Sequence, residues 1–449
     1  MQKQPFVSFM TPLLVLLFLI SAHGDLTTWQ GYRQENFEVD GRSCVLILPE
    51  ASAPGNPWLL RANPVGLDSS VDKALLRHGF HIAYMDVEDL HGNAKAIGLW
   101  DNFHARMVAD KGLAAKPVLT GKAHGALLLH AWAATHPEQT ACILAETPWL
   151  RLDDRLKEGL QQKGLETLWT RLTGAGPGSL SFEEQAVSLG EARLPILHLC
   201  DDNDPIAPAK DHSKALYEQY RRAGRGGVFE IVYTPSDARP SHRDMLPAIL
   251  YFVLKHAGRL ASVPPGEALP TMPDWTPADF AGRTEVYVLD DALIIEEGND
   301  MTGISWTGPV PEGDYEITLE AMRISGGDFF CGLTAPYKDT VFSLVVGGWG
   351  GTCVGISSLD WLDAYHNETA RFRSFEEQRW YRIRLHVSDG LIEAWIDEEQ
   401  VVDVDITNRE VDIRWEMAPT KPLGIATWRT TGAIRNFQIR QFQPALFDM

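Results

Sequence analysis

Gly121-Lys122-Ala123-His124-Gly125 lies between an apolar run, Pro117 to Thr120, and a segment rich in Leu and Ala. This is the layout of a nucleophile elbow. A sharp strand-to-helix turn pushes its central side chain out above a sheet, and small residues two before and two after relieve the crowding. A Ser at the centre, with an acid and a His later in the chain, would attack an ester or amide carbonyl. The centre here is Ala123, which carries no attacking group. Its neighbours Lys122 and His124 should point away from any pocket, because the turn exposes only its central residue. The backbone N–H of His124 and one from the loop "RANPVG", with Asn63 as the candidate, could still hold a carbonyl or carboxylate oxygen.

Two further parts follow in the order such a triad requires. "LPILHLCDDNDPIAP" is a strand leading to an acid-bearing turn, with Asp204 at the acid position. "FEIVYTPSDARPSHRD" is the next strand, and its loop should deliver the His; Arg239 stands there instead, with His242 three residues on. Removing the nucleophile of a well-studied protease costs about 10⁶-fold in rate. Asp204 is then a residue that caps the turn before "PIAPAKDHSK", or the partner of His242 acting as a base toward water.

The elements that must position these residues read in two grammars. From about residue 40 to 258, "SCVLILP", "PWLLRA", "FHIAYMDV", "PVLTG", "ACILAE", "PILHLC" and "VFEIVY" read as strands. Helical stretches lie between them over 94–111, 126–135, 210–222 and 244–256. This alternation predicts a mostly parallel sheet with helices on both faces. Residues 151–190 interrupt it with a polar helical stretch, where a lid would fall. Residues 259–279, with five prolines, predict a surface linker. Beyond it come alternating runs split by Gly, Asp and Asn, with Asp389-Gly390 as a hairpin turn in "VSDGLIEAWI". Regular strands without helices predict a β-sandwich or jelly roll.

The chain has 449 residues, too many for one ordinary core, with 45% hydrophobic and 22% charged residues. A formal net charge of -20 with no basic block argues against nucleic acid or an anionic membrane as partner. Lys3, the apolar run Leu13 to Ile20 and the small residues Ala22 and Gly24 predict a cleaved signal peptide over 1–24. The mature protein would be secreted or periplasmic, with no integral membrane contact. Cys44, Cys142 and Cys200 sit in apolar strands as small hydrophobes, whereas Cys331 and Cys353 are free to pair or not. No His/Cys spacing suggests a metal site, and no cofactor is implied.

Residues 28–256 resemble secreted bacterial α/β-hydrolase-fold proteins of the acyl-ester hydrolase type, on "TWQGYRQENFEVDGRSCVLILPE", "GFHIAYMDV" and "GLWDNFHA". In that family the elbow is Gly-x-Ser-x-Gly and the later loop is roughly Gly-x-Gly-His, so this chain departs at Ala123 and Arg239 and retains Asp204. Residues 280–442 resemble the concanavalin-like β-sandwich of the 3-keto-disaccharide hydrolase family. That resemblance rests on "GDYEITLEAMRISGGDFFCGLTAP", "VVGGWGG", "DWLDAYHNET", "RWYRIRLHVSDGLIEAWID" and "GIATWRTTGAIRNFQIR". It implies cleavage of glycosidic bonds or binding of carbohydrate. The loop-like "GGWGGTCVGISSLDWLDAYHNET" offers Trp349, Trp361, Asp360, Asp363, His366 and Asn367 as sugar contacts, through flat rings and hydroxyl-binding groups. Asp360 and Asp363 could serve as acid and base, or face solvent. Trp380, Trp395 and Trp428 fall in alternating strands and read as core.

The reading is a two-domain exported protein: residues 25–258 an α/β-hydrolase fold, residues 280–442 the sandwich. Carbohydrate or a small molecule is its expected ligand, with a degenerate first domain as scaffold. Two enzymatic rivals are glycosidic-bond cleavage of the 3-keto-glycoside type by the sandwich and ester hydrolysis through Asp204 and His242. A purely structural surface role is a third.

Overall fold

Short β-branched and Leu-rich runs alternate with amphipathic segments, and they fold into one nine-stranded sheet with helices on both faces. The computed structural model describes residues 26–66, 70–174, 176, 180–201, 203–234 and 244–442. The strands are β1 (Leu26–Trp29), β2 (Tyr32–Val39), β3 (Arg42–Ile47), β4 (Trp58–Arg61), β5 (His81–Met85), β6 (Val118–Lys122), β7 (Cys142–Glu146), β8 (Ile196–Asp201) and β9 (Phe229–Thr234). Their order is β1-β2-β3-β5-β4-β6-β7-β8-β9. β1, β2, β3 and β5 pair antiparallel in turn, and every pairing from β5 through β4 to β9 is parallel. The helices are α1 (Ser70–Arg77), α2 (Ala94–Lys111), α3 (Gly125–Thr135), α4 (Asp154–Gln162), α5 (Glu166–Gly174), α6 (Phe182–Glu191), α7 (Ser213–Ala223) and α8 (Leu246–His256). Alternate strand residues face opposite layers: Leu60 and Leu119 pack with α2, α3 and α6, whereas Leu59 and Val118 pack with α1 and α8. The single exchange of β5 and β4 in an otherwise sequential order gives an α/β-hydrolase fold. The strand-turn-strand entry at Gln30-Gly31 and Asp40-Gly41, each with both residues at positive φ, adds two hairpins ahead of the parallel part.

The second half has fourteen strands: β10 (Trp275–Pro277), β11 (Val286–Leu289), β12 (Ala292–Ile295), β13 (Met301–Trp306), β14 (Tyr315–Gly326), β15 (Cys331–Tyr337), β16 (Thr340–Gly347), β17 (Cys353–Ser357), β18 (Arg371–Phe372), β19 (Trp380–Ser388), β20 (Leu391–Ile396), β21 (Glu399–Asp405), β22 (Gly424–Trp428) and β23 (Thr430–Gln441). They form two antiparallel sheets, β10-β13-β22-β15-β16-β17-β18 and β11-β12-β23-β14-β19-β20-β21. The two sheets close on one apolar core that includes Ile317, Leu333, Leu344, Ile383 and Ile425. Asp389-Gly390 makes the β19–β20 hairpin, with Ser388 opposite Leu391 and Gly390 at φ 91°. Within the Pro-rich segment 259–279, Leu269 and Trp275 are buried, and β10 pairs with β13.

Strand parity corrects one expectation and decides a pairing that the sequence left open. In β19, β20 and β22, Ile383, Leu385, Val387, Ile392, Ile396 and Ile425 occupy the inward register, so Trp380, Trp395 and Trp428 fall on the outward one and are only half-buried. Trp380 and Trp395 lie beneath guanidinium groups, Arg435 at 4.1 Å and Arg384 at 3.7 Å. Cys331 and Cys353 are both free: Cys331 faces the inter-sheet core and Cys353 the opposite side of the same sheet, which separates the two thiols.

The outer face of the sheet containing β14 is covered by the first domain. Tyr287, Ile294, Met322 and Ala433 join one apolar cluster with Leu75 of α1 and Leu250 of α8. Arg77 meets Asp290 at 2.8 Å, Tyr251 and Lys255 both reach Glu296 at 2.7 Å, and Trp380 Nε1 donates to the Asp244 carbonyl at 2.8 Å. Among the described residues no helix is long and apolar enough to cross a membrane. The expected signal peptide lies outside the described residues.

A buried polar chain ties α3 to β8. Cys200 Sγ donates to Ser213 Oγ at 3.2 Å, and Ser213 faces His198 Nδ1 at 2.9 Å. His198 Nε2 meets His130 Nε2 at 3.0 Å, and His130 Nδ1 bonds the Ala126 carbonyl at 2.8 Å. With both rings neutral, every link has one donor and one acceptor. Burial pushes His130 down to about 4, and burial together with the His130 charge pushes His198 well below the usual imidazole range. The unfolded chain takes these protons near pH 6.5 and the native state refuses them, so stability held above pH 6.5 is lost as pH falls toward about 4. Replacing both rings by apolar side chains (His130→Met with His198→Leu) should flatten the decline of Tm between pH 6.5 and 4.5, measured by calorimetry. An unchanged slope in a folded double variant would remove the pair from this role.

Candidate functional site

The turn between β6 and α3 has the geometry its sequence predicts. Ala123 sits at φ 47°, a left-handed value that costs a residue with a Cβ about 1 kcal/mol or more. The strain is held by hydrogen bonds: Ala123 N–H donates to the Glu146 carbonyl at 3.0 Å, and its carbonyl accepts from Trp149 N–H at 3.1 Å. The two glycines are required by a specific neighbour. A Cβ at Gly125 would lie 2.4 Å from Asn63 Oδ1, and one at Gly121 would lie 3.2 Å from that atom and 2.8 Å from Leu129 Cδ2. Asn63 is buried, and its Oδ1 accepts the Lys122 backbone N–H at 2.8 Å. Its side chain therefore wedges the turn from below.

Lys122 is exposed, as expected of a residue beside the apex. His124 is half-buried instead, with its ring 5.6 Å from His91 and 5.9 Å from Trp149. Burial lowers both imidazoles, and neither His91 ring nitrogen has a partner among the described residues. The stretch read as a lid divides in two. α6 packs on α3 and α7 as part of the scaffold, while α4 and α5 supply Leu156, Leu160, Leu168, Trp169 and Leu172 to an apolar cluster that packs against Ala123. The apex of the turn thus presents a methyl under apolar cover.

Asp204 is half-buried, and its Oδ1 accepts the Ile206 and Ala207 N–H groups at 2.7 and 3.1 Å. That is a turn cap. Arg239 and His242 lie outside the described residues. A histidine the sequence reading did not single out, His212, is buried near this turn. Burial lowers its pKa against the pull of Asp153, Asp211 and Asp204, and its Nδ1 accepts the Leu150 N–H at 3.1 Å.

A second candidate site lies on the outer face of the sheet containing β16 and β17. A cavity of about 250 Å³ is walled by Phe329, Trp349, Trp428, Met301 and Met417. Ser343 and Ser357, paired across β16 and β17, line it as well, and Asp328, Arg414 and Glu416 bring charge to it. The Ser357 hydroxyl is buried and has no hydrogen-bond partner among the described residues. Asp328 accepts Phe329 N–H at 2.8 Å and Gly350 N–H at 3.0 Å, which fixes the turn Gly348–Gly351 that carries Trp349 at φ 49°. Buried Arg323 holds the same turn through the Asp328 and Gly351 carbonyls at 3.2 and 3.0 Å. Burial raises the Glu416 carboxyl, but the hydrogen bond and charge of Arg414 outweigh it and leave the group below its usual range.

Of the six sugar-contact candidates, Trp349 lines the cavity. Asp363 joins it indirectly: it meets Arg414 at 3.3 Å and His366 at 2.7 Å. Trp361 is exposed and outside the lining. Asp360 is held by Arg409 and by the Glu410 N–H, so the two aspartates answer different arginines. Asn367 is buried, donating to the carbonyls of Ile356, Leu362 and Asp363 and accepting from Thr369. Its amide shapes the loop. Phe329, Ser343, Ser357, Arg414, Glu416 and Trp428 were missed. For Ser343 in β16, Ser357 in β17 and Trp428 in β22 the signal was parity, since they occupy the register opposite the aliphatic core residues; Phe329, Arg414 and Glu416 lie outside the strands and carried none. Among the described residues no group of three or more His, Cys, Asp or Glu could hold a metal ion.

No family model matches the sequence, and no curated protein matches it. Among solved structures, 50% of the chain is similar to MPT51 from Mycobacterium tuberculosis, at 19% identity over 98% of that chain with a TM-score of 0.36. Another 50% match is Est1E from Butyrivibrio proteoclasticus, at 16% identity over 99% of that chain with a TM-score of 0.38. Over 40% of its length the chain is similar to the carbohydrate binding module CBM66 from Bacillus subtilis, at 10% identity over 99% of that chain with a TM-score of 0.28. The fold assignment rests on the strand order and pairing described above.

Two variants test the first site. Gly125→Ala should destabilise the protein by about 1–3 kcal/mol in urea unfolding, and adding Asn63→Ala should recover part of that loss. Strict additivity would mean that Asn63 is not what the glycine accommodates. Asp204→Ala should cost about 1 kcal/mol and Asp204→Asn less, because Asn keeps the accepting oxygen; equal losses would argue against the cap.

Proposed function

We propose that this is an exported, carbohydrate-associated protein that binds a glycan in the cavity on the outer face of the sandwich. Its first domain is a degenerate α/β-hydrolase scaffold. The observation that carries the reading is the cavity itself: aromatic walls, two serine hydroxyls, one without a partner among the described residues, and charged groups at its edge. A sugar offers apolar C–H faces and hydroxyls in the same small volume, and a ligand hydroxyl would satisfy the buried Ser357 group that otherwise costs about 1–3 kcal/mol. The resemblance of residues 280–442 to the 3-keto-disaccharide hydrolase sandwich supports the same ligand class.

Binding is favoured over cleavage by the state of the acids. A glycosidase needs one carboxylic acid with a raised pKa to protonate the leaving oxygen. Glu416 is held below its usual range by Arg414, and Asp328 is engaged by two backbone N–H donors. Ester hydrolysis is disfavoured by Ala123 and by the capping role of Asp204.

The test is calorimetric titration of the mature chain, residues 25–449, with a panel of neutral oligosaccharides, alongside mass spectrometry for products. Trp349→Ala should weaken binding by about tenfold or more, Asp204→Asn should leave it unchanged, and the sugars should be recovered intact. Cleaved glycans from the wild-type chain would replace this reading with the enzymatic one. No heat and no rise in Tm with any sugar would sink it altogether.

A further inference from the structure

The aromatic surface does not stop at the cavity. Trp349, which lines it, has its ring 6.1 Å from that of Tyr365 with the planes only 34° apart, so the two form a shallow shelf. Phe372 stands edge-on behind Tyr365 at 5.3 Å and 76°, bracing it. Beside Arg414, at the cavity's charged edge, Trp415 is 81% exposed. Tyr365 and Phe372 are exposed at 45% and 59%. Large rings left in water next to a cavity mark a surface that something covers.

We propose that the cavity is one subsite of a longer groove, and that the groove takes a neutral glycan chain of several units rather than a single sugar or disaccharide. This rests on the glycan reading above and adds to it the length and charge of the ligand. Length follows from continuity: Tyr365 extends the ring surface beyond Trp349, and exposed Trp415 lies in the chain between the cavity-lining Arg414 and Glu416. Each exposed ring offers a face to one more sugar.

Neutrality follows from the charges. Arg414 is already paired with Glu416 at 2.7 Å and with Asp363 at 3.3 Å. Arg409, on the same set of loops, is paired with both Asp360 and Glu368. Both guanidinium groups are therefore engaged by carboxylates, Arg371 beside Phe372 is engaged by the Glu368 and Ala370 carbonyls, and a chain of formal net charge -20 repels polyanions.

The mature full-length chain is titrated calorimetrically with ladders of one to six units from neutral glucan, mannan, xylan and galactan, and with polygalacturonate. For the ladder that binds, Kd should tighten by about tenfold or more between two and six units. Tyr365→Ala and Trp415→Ala should each remove most of that gain while leaving the two-unit ligand within about twofold of wild type. A two-unit ligand that binds as tightly as the six-unit one would overturn the groove and leave the cavity reading standing. Binding of no neutral sugar at any length would remove the cavity reading and the groove with it. Tighter binding of polygalacturonate would overturn neutrality, and self-association abolished by Trp415→Ala, seen by sedimentation, would assign these rings to a second copy of the chain.

Discussion

Helix α8 is buried along eight consecutive residues, Pro247 to Leu254, and the rest of the molecule is arranged around that fact. A helix apolar on all sides needs cover on all sides. One side of α8 packs beneath the parallel sheet near β7, and another packs on β11 and β12 of the sandwich. Each fully buried large side chain contributes about 1.5–3 kcal/mol relative to exposure. α8 therefore joins the two folded layers into one apolar cluster, with Tyr251 and Lys255 converging on Glu296 at its edge.

This contact assigns the faces of the sandwich. Its inner faces make the core, and one outer face is closed by α1 and α8. The other outer face carries its own small apolar cluster, which includes Phe329, Val345 and Met417, and the cavity. A strand gives each residue one of two faces, so Trp428 in β22 can line the cavity only because Ile425 faces the core. The buried guanidinium of Arg323 and the carboxylate of Asp328 then fix the turn that brings Trp349 to the same place.

In the first domain the sharp turn at Ala123 is held by its surroundings rather than by its apical side chain. Asn63 between Gly121 and Gly125, and the left-handed Ala123, preserve the turn that would project a nucleophile. The buried chain from Cys200 to His130 ties the following helix to the strand that leads to Asp204. These contacts are properties of packing and hydrogen bonding, and none of them uses the apical side chain, which is a methyl.

Much of the fold was legible in the sequence because local rules sufficed. Alternating apolar runs and helical stretches marked β3 to β9 and α2, and small residues around Ala123 marked the elbow. Asp389-Gly390 likewise marked its hairpin. The entry strands β1 and β2 and the short α1 were not read, since their patterns are short and partly polar. The site was less legible. Asn367 looked like a sugar ligand because its amide type is right, yet four protein partners consume it. Trp428 looked like core because parity within β22 depends on register against β13 and β15. Composition and periodicity determined which segments become strands or helices and that Ala123 cannot attack a carbonyl. Which outward faces are covered and which are left for a ligand was decided only by tertiary structure, because it depends on contacts between segments far apart in the chain.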